Sequence, residues 1–260
     1  LYTILILLAI GVVMIYSASS FYSMFHYNDS MFYLKKQGIM AVIGLVAMFF
    51  MMNFDYHRLK KITPKLLIIT IPLLIAVFFF PAVNGAKRWI QLGGLSFQPS
   101  ELTKYVVVLF LALSIDIKGD GIKDFWTGIV PYLALSGFFA ALVLAEKNLS
   151  IAAIIMIVTF ILLFISGGKI KHLFGIVLPA LLTLAIFFIF SSDYRRARML
   201  NFIDPWKDAA GDGYQLIQSF YALGSGGITG LGLGQSRQKT LYMPEPHNDF
   251  IFSIIGEELG

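Results

Sequence analysis

The chain is a succession of apolar segments, each about long enough to cross a bilayer, separated by short polar breaks. A helix needs about 20 mostly apolar residues to span the hydrocarbon core. Segments of that kind fall at residues 1–17, 38–53, 64–80, 101–115, 125–145, 151–165 and 173–190. Lipid offers no partner to an open strand edge, and a closed barrel needs alternating strands, which are absent here. The expected fold is an all-α polytopic membrane protein. It has about seven complete transmembrane helices, the start of an eighth at 250–260, and a long loop, 191–249, before that eighth helix. The composition agrees, with 13% charged residues where a soluble domain carries about 25%.

A net charge of +5 would point to nucleic acid in a soluble protein. In a membrane protein anionic lipid headgroups are the nearer partner, so membrane lipids and no nucleic acid are expected. The lack of cysteine excludes disulfides, thiolate catalysis and cysteine-based metal sites. The opening apolar run shows no basic region followed by a small-residue cleavage site, so it reads as a first transmembrane helix rather than a signal peptide. The chain begins inside one apolar run and stops as another starts, and it is read as part of a longer chain. No internal repeat or low-complexity linker divides it, so residues 1–260 form one expected domain. Basic residues do not fix the orientation. Counting the long loop puts that loop in the cytoplasm, and leaving it out reverses the result.

The chemistry-bearing residues concentrate in 204–249, where Trp206, Tyr214, Phe220 and Tyr221 supply apolar anchors. Asp208 ends Pro205-Trp-Lys-Asp208, with Asp204 and Asp212 close by. Asp in a Pro- and Gly-rich loop is normally a turn former or cap. If Trp206 desolvated such a carboxylate, its pKa would rise towards the range of a general base. The glycines of 224–234 lack a surrounding Rossmann unit and read as close-packing positions, with exposed amides able to cradle an anion as the second reading. His247 and Asp249 are too few for a metal site. Asn248 or Asp249 is expected to cap the following helix, with Glu257 and Glu258 facing the bundle, where ionisable groups are functional suspects. Upstream, Lys87 and Arg88 adjoin Trp89, and Glu101 and Lys104 share a helix face behind Pro99, a helix-start residue. These form either an interfacial anchor with a self-neutralising pair, or a cationic pocket for a lipid phosphate.

Tyr16-Ser-Ala-Ser-Ser20, Asn84-Gly-Ala-Lys-Arg-Trp-Ile90, Gln98-Pro-Ser-Glu-Leu-Thr-Lys104 and Pro205-Trp-Lys-Asp208 occur in that order. Gly211-Asp-Gly-Tyr-Gln-Leu-Ile-Gln-Ser219, Gly230-Leu-Gly-Leu-Gly-Gln-Ser-Arg-Gln-Lys239 and Pro244-Glu-Pro-His-Asn-Asp249 follow. As an ordered set spread over the whole chain they resemble the SEDS family (shape, elongation, division and sporulation), nearest its division and sporulation branch. The resemblance implies about ten spans in a full-length member, in the bacterial cytoplasmic membrane, with 191–249 on the outer side. It implies an inverting peptidoglycan glycosyltransferase that polymerises lipid II into glycan strands, with Asp208 as the catalytic carboxylate. Residues expected at the substrate are Lys87, Arg88, Trp89, Gln98, Ser100, Glu101, Lys104, Gln215, Ser219, His247 and Glu258, with Arg88 and Lys104 at phosphate. No residue is assigned as a metal ligand, though a divalent cation (Mg or Mn) could share the pyrophosphate. The implied partners are lipid II, the growing lipid-linked glycan and a class B penicillin-binding transpeptidase. Where the family often has a Gln-Pro-Asp-x-Gly-Thr-like motif, this chain has Glu146-Lys-Asn-Leu-Ser150, and no function is carried to that turn. The alternatives are a lipid II flippase and a non-catalytic scaffold for the transpeptidase.

Overall fold

The computed structural model describes residues 1–83, 85–92 and 95–260. In chain order the helices are α1 (Tyr2–Tyr27), α2 (Phe32–Met52), α3 (His57–Ala76), α4 (Pro99–Lys118), α5 (Val130–Ala145) and α6 (Leu149–Ile165). There follow α7 (Ile170–His172), α8 (Leu178–Phe190), α9 (Asp193–Ile203), α10 (Tyr214–Gly226) and α11 (Ile251–Leu259). A hairpin of β1 (Ile90–Leu92) and β2 (Leu95–Phe97) sits between α3 and α4, with Gln91 opposite Ser96, a small addition to the all-α expectation. The chain divides into two compact units, Leu1–Phe54 with Ile189–Gly260, and Asp55–Phe188.

Among the described residues, Tyr2–Tyr27, Phe32–Met52, His57–Phe79, Phe125–Ala145 and Ile170–Phe190 are long and apolar enough to cross a membrane. α6 is apolar but shorter. α4 carries Glu101, Lys104, Asp116 and Lys118. The chain is therefore a multi-pass α-helical membrane protein. α2 shows why no soluble fold would serve: none of its residues is buried, and Phe50, Val46 and Val42 are 67%, 65% and 61% exposed. Apolar area on that scale needs lipid against it.

Several boundaries differ from the sequence reading. The first span was expected at 1–17, but α1 continues to Tyr27, with Ser17, Ala18, Ser19 and Ser23 giving it a buried small-residue face. It stops at Asn28, in the left-handed conformation (φ 55°), whose N–H bonds to the Met24 carbonyl. Asn tolerates that conformation better than most residues. The third span, expected from 64, begins at His57, so Pro64 lies inside the helix. Asp55 explains the earlier start, since its Oδ1 accepts from the His57 N–H at 3.0 Å and satisfies an otherwise orphaned donor. The 191–249 segment contains α9, a 3₁₀ turn at Pro205–Asp208 and α10, with turns over 227–249.

In the unit 55–188 the core joins Leu67 and Leu74 of α3 to Val107 and Leu111 of α4, Phe139 and Val143 of α5, and Ile155 and Leu163 of α6. Between helices already in lipid, packing and interhelical hydrogen bonds replace the hydrophobic drive. Thr159 donates to Ser136 at 2.8 Å between α6 and α5, and the Tyr132 hydroxyl donates to the Ser114 carbonyl at 3.1 Å between α5 and α4. The other unit has a smaller core of Ala18, Ala222, Met243 and Ile254, with Phe250 and Ile251 packed against it.

Candidate functional site

Asp208 closes the 3₁₀ turn that Pro205 opens. Its carbonyl accepts from the N–H groups of Gly211 and Gly213, at 3.2 and 3.0 Å, and its Oδ2 accepts from the Asp212 N–H at 3.0 Å. The chain can turn this tightly because of its glycines. A Cβ on Gly211 would collide with the Asp208 carboxylate, and one on Gly213 with the Pro205 carbonyl. Asp208 is thus a turn former, as its residue type suggests, while its side chain stays exposed and its free lone pairs face solvent. Trp206 does not desolvate the turn. It is 55% exposed, with its ring tilted against Tyr221 at 6.1 Å. Asp204 meets Lys207 at 3.7 Å, and the Asp212 side chain is exposed.

Behind the turn, α10 holds the segment 240–250. The Tyr214 hydroxyl donates to the Tyr242 carbonyl at 2.8 Å, and Gln215 Nε2 donates to the Pro244 carbonyl at 3.0 Å. Ser219 is buried and donates to Leu216 within its own helix. His247 is buried between Tyr22 and Tyr33, ring centroids 5.2 and 4.0 Å away, with neither ring nitrogen hydrogen-bonded. Burial holds its pKa below the usual histidine range, against the opposing pull of Glu245, so the ring is neutral. Asn248 and Asp249 do not cap α11. Asn248 donates to Glu245 at 2.7 Å, and the cap position falls on Phe250, which contributes no side-chain bond.

The glycine-rich stretch satisfies both of its sequence readings. Gly226 and Gly230 lie against the backbone of Gly256 and Glu258, where a Cβ on either would collide. The amides beyond them cradle an anion supplied by the protein itself. Glu258, fully buried, accepts from the N–H groups of Gly234 and Ser236 at 2.9 and 3.4 Å, from Ser17 at 2.7 and 2.8 Å, and from Lys239 at 2.7 Å. Glu257, equally buried, accepts from Ser225, Ser236, and the N–H groups of Arg237 and Gln238. The carboxylate of Glu258 is therefore spent on internal donors. Spacing alone does not pair Ser17 with a carboxylate near the far end of the chain.

The remaining site residues lie in the unit 55–188. Asn84, the first residue of its motif, lies outside the described residues. Lys87 donates to the Phe78 carbonyl at 2.8 Å, and Trp89 is half-buried. Arg88 donates from Nε to the Glu146 carbonyl at 3.3 Å and from Nη2 to the Lys147 carbonyl. Its fork clamps the very turn that departs from the family pattern. Lys147 there adopts a left-handed conformation (φ 61°) and returns a 3.4 Å bond to the Gly85 carbonyl. Gln98 donates to Ser100 at 3.0 Å, and Glu101 and Lys104 form their expected pair at 2.9 Å.

Glu146 itself was not singled out by sequence. It is 1% exposed, and neither carboxylate oxygen has a hydrogen bond of normal geometry. Burial pushes its pKa up to about 7, with Ser100 and Arg88 pulling the other way. Its only sequence signal was a carboxylate in a very short break between two apolar segments. Among the described residues no group of three or more His, Asp or Glu side chains is placed to hold a metal ion.

The family model described as "Cell cycle protein", covering FtsW, RodA and SpoVE, matches residues 1–260. A probable peptidoglycan glycosyltransferase FtsW from Geobacter sp. (strain M18) is 41% identical over 259 residues, 98% of this chain and 70% of the relative. Stage V sporulation protein E of Bacillus subtilis is 39% identical over 262 residues, again 98% and 70%. Among solved structures, a chain from a study of the structural coordination of polymerization and crosslinking by a peptidoglycan synthase complex matches at TM-score 0.69. It is 29% identical, with 97% of this chain and 70% of that one covered. The rod shape determining protein RodA of Thermus thermophilus shares the fold at TM-score 0.57 and 23% identity, over 86% and 75% of the two chains.

Proposed function

The chain belongs to the FtsW/RodA/SpoVE family of cell cycle proteins, and on that footing we propose that it is a peptidoglycan glycosyltransferase. The observation that carries the chemistry is the Asp208 carboxylate, held on a tight turn by the Asp212 N–H and the two glycines yet open to solvent. A general base must reach the proton it removes. In the proposed reaction Asp208 takes the proton from the 4-hydroxyl of the incoming lipid II sugar. The hydroxyl oxygen attacks the anomeric carbon of the growing strand from the face opposite its leaving group. The C–O bond to the polyprenyl pyrophosphate breaks, and the new glycosidic bond forms with inversion. The proton then passes from Asp208 to solvent.

Lys104 and Arg88 are the candidate phosphate contacts, Lys104 as a point charge beside Glu101 and Arg88 as a planar fork. Arg88 spends two of its five N–H groups on the 146–147 turn, which leaves three for a phosphate. Lys87, Trp89, Gln98, Ser100, Gln215, Ser219, His247 and Glu258 complete the proposed substrate surroundings. Those with internal partners act by holding backbone in place. No step is routed through a metal. The reaction site is placed at the outer face of the bacterial cytoplasmic membrane, serving division or sporulation. A class B penicillin-binding transpeptidase as partner is supported by the likeness to a chain from a complex that coordinates polymerization with crosslinking.

Purified protein supplied with lipid II separates the readings. A polymerase yields glycan strands and free polyprenyl pyrophosphate. A flippase moves labelled lipid across a vesicle without polymer, and a scaffold does neither. Either of the last two results would end the glycosyltransferase reading.

A further inference from the structure

Resting on the reading of Arg88 as a phosphate contact, we propose that Glu146 is a positioning residue for phosphate recognition. Its carboxyl decides whether the Arg88 fork is offered to a substrate phosphate or held inside the protein. Arg88 is anchored on this very residue, from Nε to the Glu146 carbonyl at 3.3 Å and from Nη2 to the carbonyl of Lys147. The side chain is half-buried, between the interior and the surface. Glu146 is 1% exposed, and both of its carboxylate oxygens lack a hydrogen-bond partner. A carboxyl so placed is stable when neutral. As an anion it is costly unless a cation pairs with it.

The surroundings leave one cation for that task. Ser100, fully buried in the first turn of α4, faces the carboxyl, but its hydroxyl carries no charge. Arg88 faces it as a charge. Lys147, on the same turn, directs its Nζ to the Gly85 carbonyl at 3.4 Å. On α4, Lys104 is paired with Glu101 at 2.9 Å. The last turn of α5, Leu142–Ala145, has no ionisable residue, and Asn148, before α6, accepts from the Ile151 N–H at 3.4 Å. When Glu146 loses its proton to solvent, the three N–H groups left on Arg88 turn to the carboxylate. The pair is then internal and close to neutral, and a phosphate loses both the planar fork and its charge. Burial keeps the carboxyl protonated until about pH 7. Phosphate affinity is therefore full below that pH and falls as pH rises through it.

The test is equilibrium binding of fluorescent lipid II to the detergent-solubilised protein at pH 6 and pH 8.5, with Asp208→Asn in every variant so that ligand is not consumed. The pyrophosphate of lipid II is a diester with no proton to lose in that range. If only the protonated form binds, the apparent Kd rises as the protonated fraction falls. For a carboxyl titrating near 7, binding at pH 8.5 should be weaker by up to about 30-fold. Glu146→Gln cannot ionise, and should bind at both pH values as its parent does at pH 6. Arg88→Ala should bind weakly at both, with no pH response although Glu146 is still present; a purely structural effect of Glu146 would persist there. A pH response in the parent no larger than in Glu146→Gln would overturn the proposal, and so would a response that survives Arg88→Ala. Binding is read without turnover, so the two readings fail separately. Absence of polymer from the wild type ends the glycosyltransferase reading, and a flat binding profile ends this one.

Discussion

Glu146 should make the stability of the protein fall as pH rises. The residue is 1% exposed, and burial raises its pKa from the ordinary 4.5 to about 7. Below the unfolded value both states hold the proton and the residue contributes no pH dependence. Between the two values the folded state keeps a proton that the unfolded state has lost, so stability declines with increasing pH. Above about 7 the folded protein carries a buried carboxylate, and the full penalty applies. At 1.36 kcal/mol per pKa unit the shift amounts to about 3 kcal/mol. That is an upper figure, because Arg88 can turn from the Glu146 and Lys147 carbonyls towards the new charge. Glu146→Gln keeps the shape and cannot ionise. Unfolding in detergent should therefore show wild type and variant nearly parallel below pH 5. By pH 8.5 the wild type should have lost up to about 3 kcal/mol relative to Glu146→Gln. A stability difference between them that stays constant from pH 5 to 8.5 would refute the argument, since it would mean that Glu146 titrates normally.

Three further outcomes follow from the geometry. Gly211→Ala drives a methyl into the Asp208 carboxylate, and a displacement of about 1 Å at a reacting group can cost roughly 10²-fold in rate; polymerisation should fall on that scale, and an unchanged rate would show that the carboxylate position is immaterial. Lys239→Met leaves Glu258 buried without its cation, which typically costs about 3–5 kcal/mol, while Lys239→Met/Glu258→Gln should recover part of the loss; thermal unfolding that ranks the double variant below both single ones would contradict the pairing. Because the chain has no cysteine, single cysteines report topology cleanly. A cysteine at Arg198 should react with an impermeant reagent from outside the cell and one at Lys123 should not, and the opposite pattern would place 191–249 in the cytoplasm.

The helical architecture was legible because the apolar runs are long and separated by unmistakable polar breaks. Ends were harder to place. Apolarity marks the membrane, whereas helices end where backbone donors and acceptors find other partners. Asn28 ends α1 well past its apolar run, and Asp55 starts α3 before its own. The glycines of 224–234 were readable as close-packing positions, but the amides of Gly234, Ser236, Arg237 and Gln238 serve the carboxylates of Glu258 and Glu257 in a helix that follows in sequence, and spacing does not reveal such pairings. Glu146 was missed because a carboxylate in a short break reads as solvated. Only the fold shows that the Arg88 fork and the neighbouring helices exclude water from it. Asp204, Asp208 and Asp212 could not be ranked by spacing. In the structure Asp208 differs from the other two in that its carboxylate accepts from the Asp212 N–H, and resemblance to a family gives that carboxylate its proposed role.

The central claim is that Asp208 acts as the base in glycan polymerisation, and the most direct measurement is the initial rate of lipid II polymerisation by Asp208→Asn. The amide oxygen of Asn can still accept from the Asp212 N–H, so the turn that Asp208 builds should persist. Loss of a general base costs about 10²–10⁴-fold. The account predicts a rate lower by at least 10²-fold in a protein that inserts, folds and melts like the wild type. A rate near that of the wild type would contradict it, and so would a loss of activity that only follows the loss of folded protein.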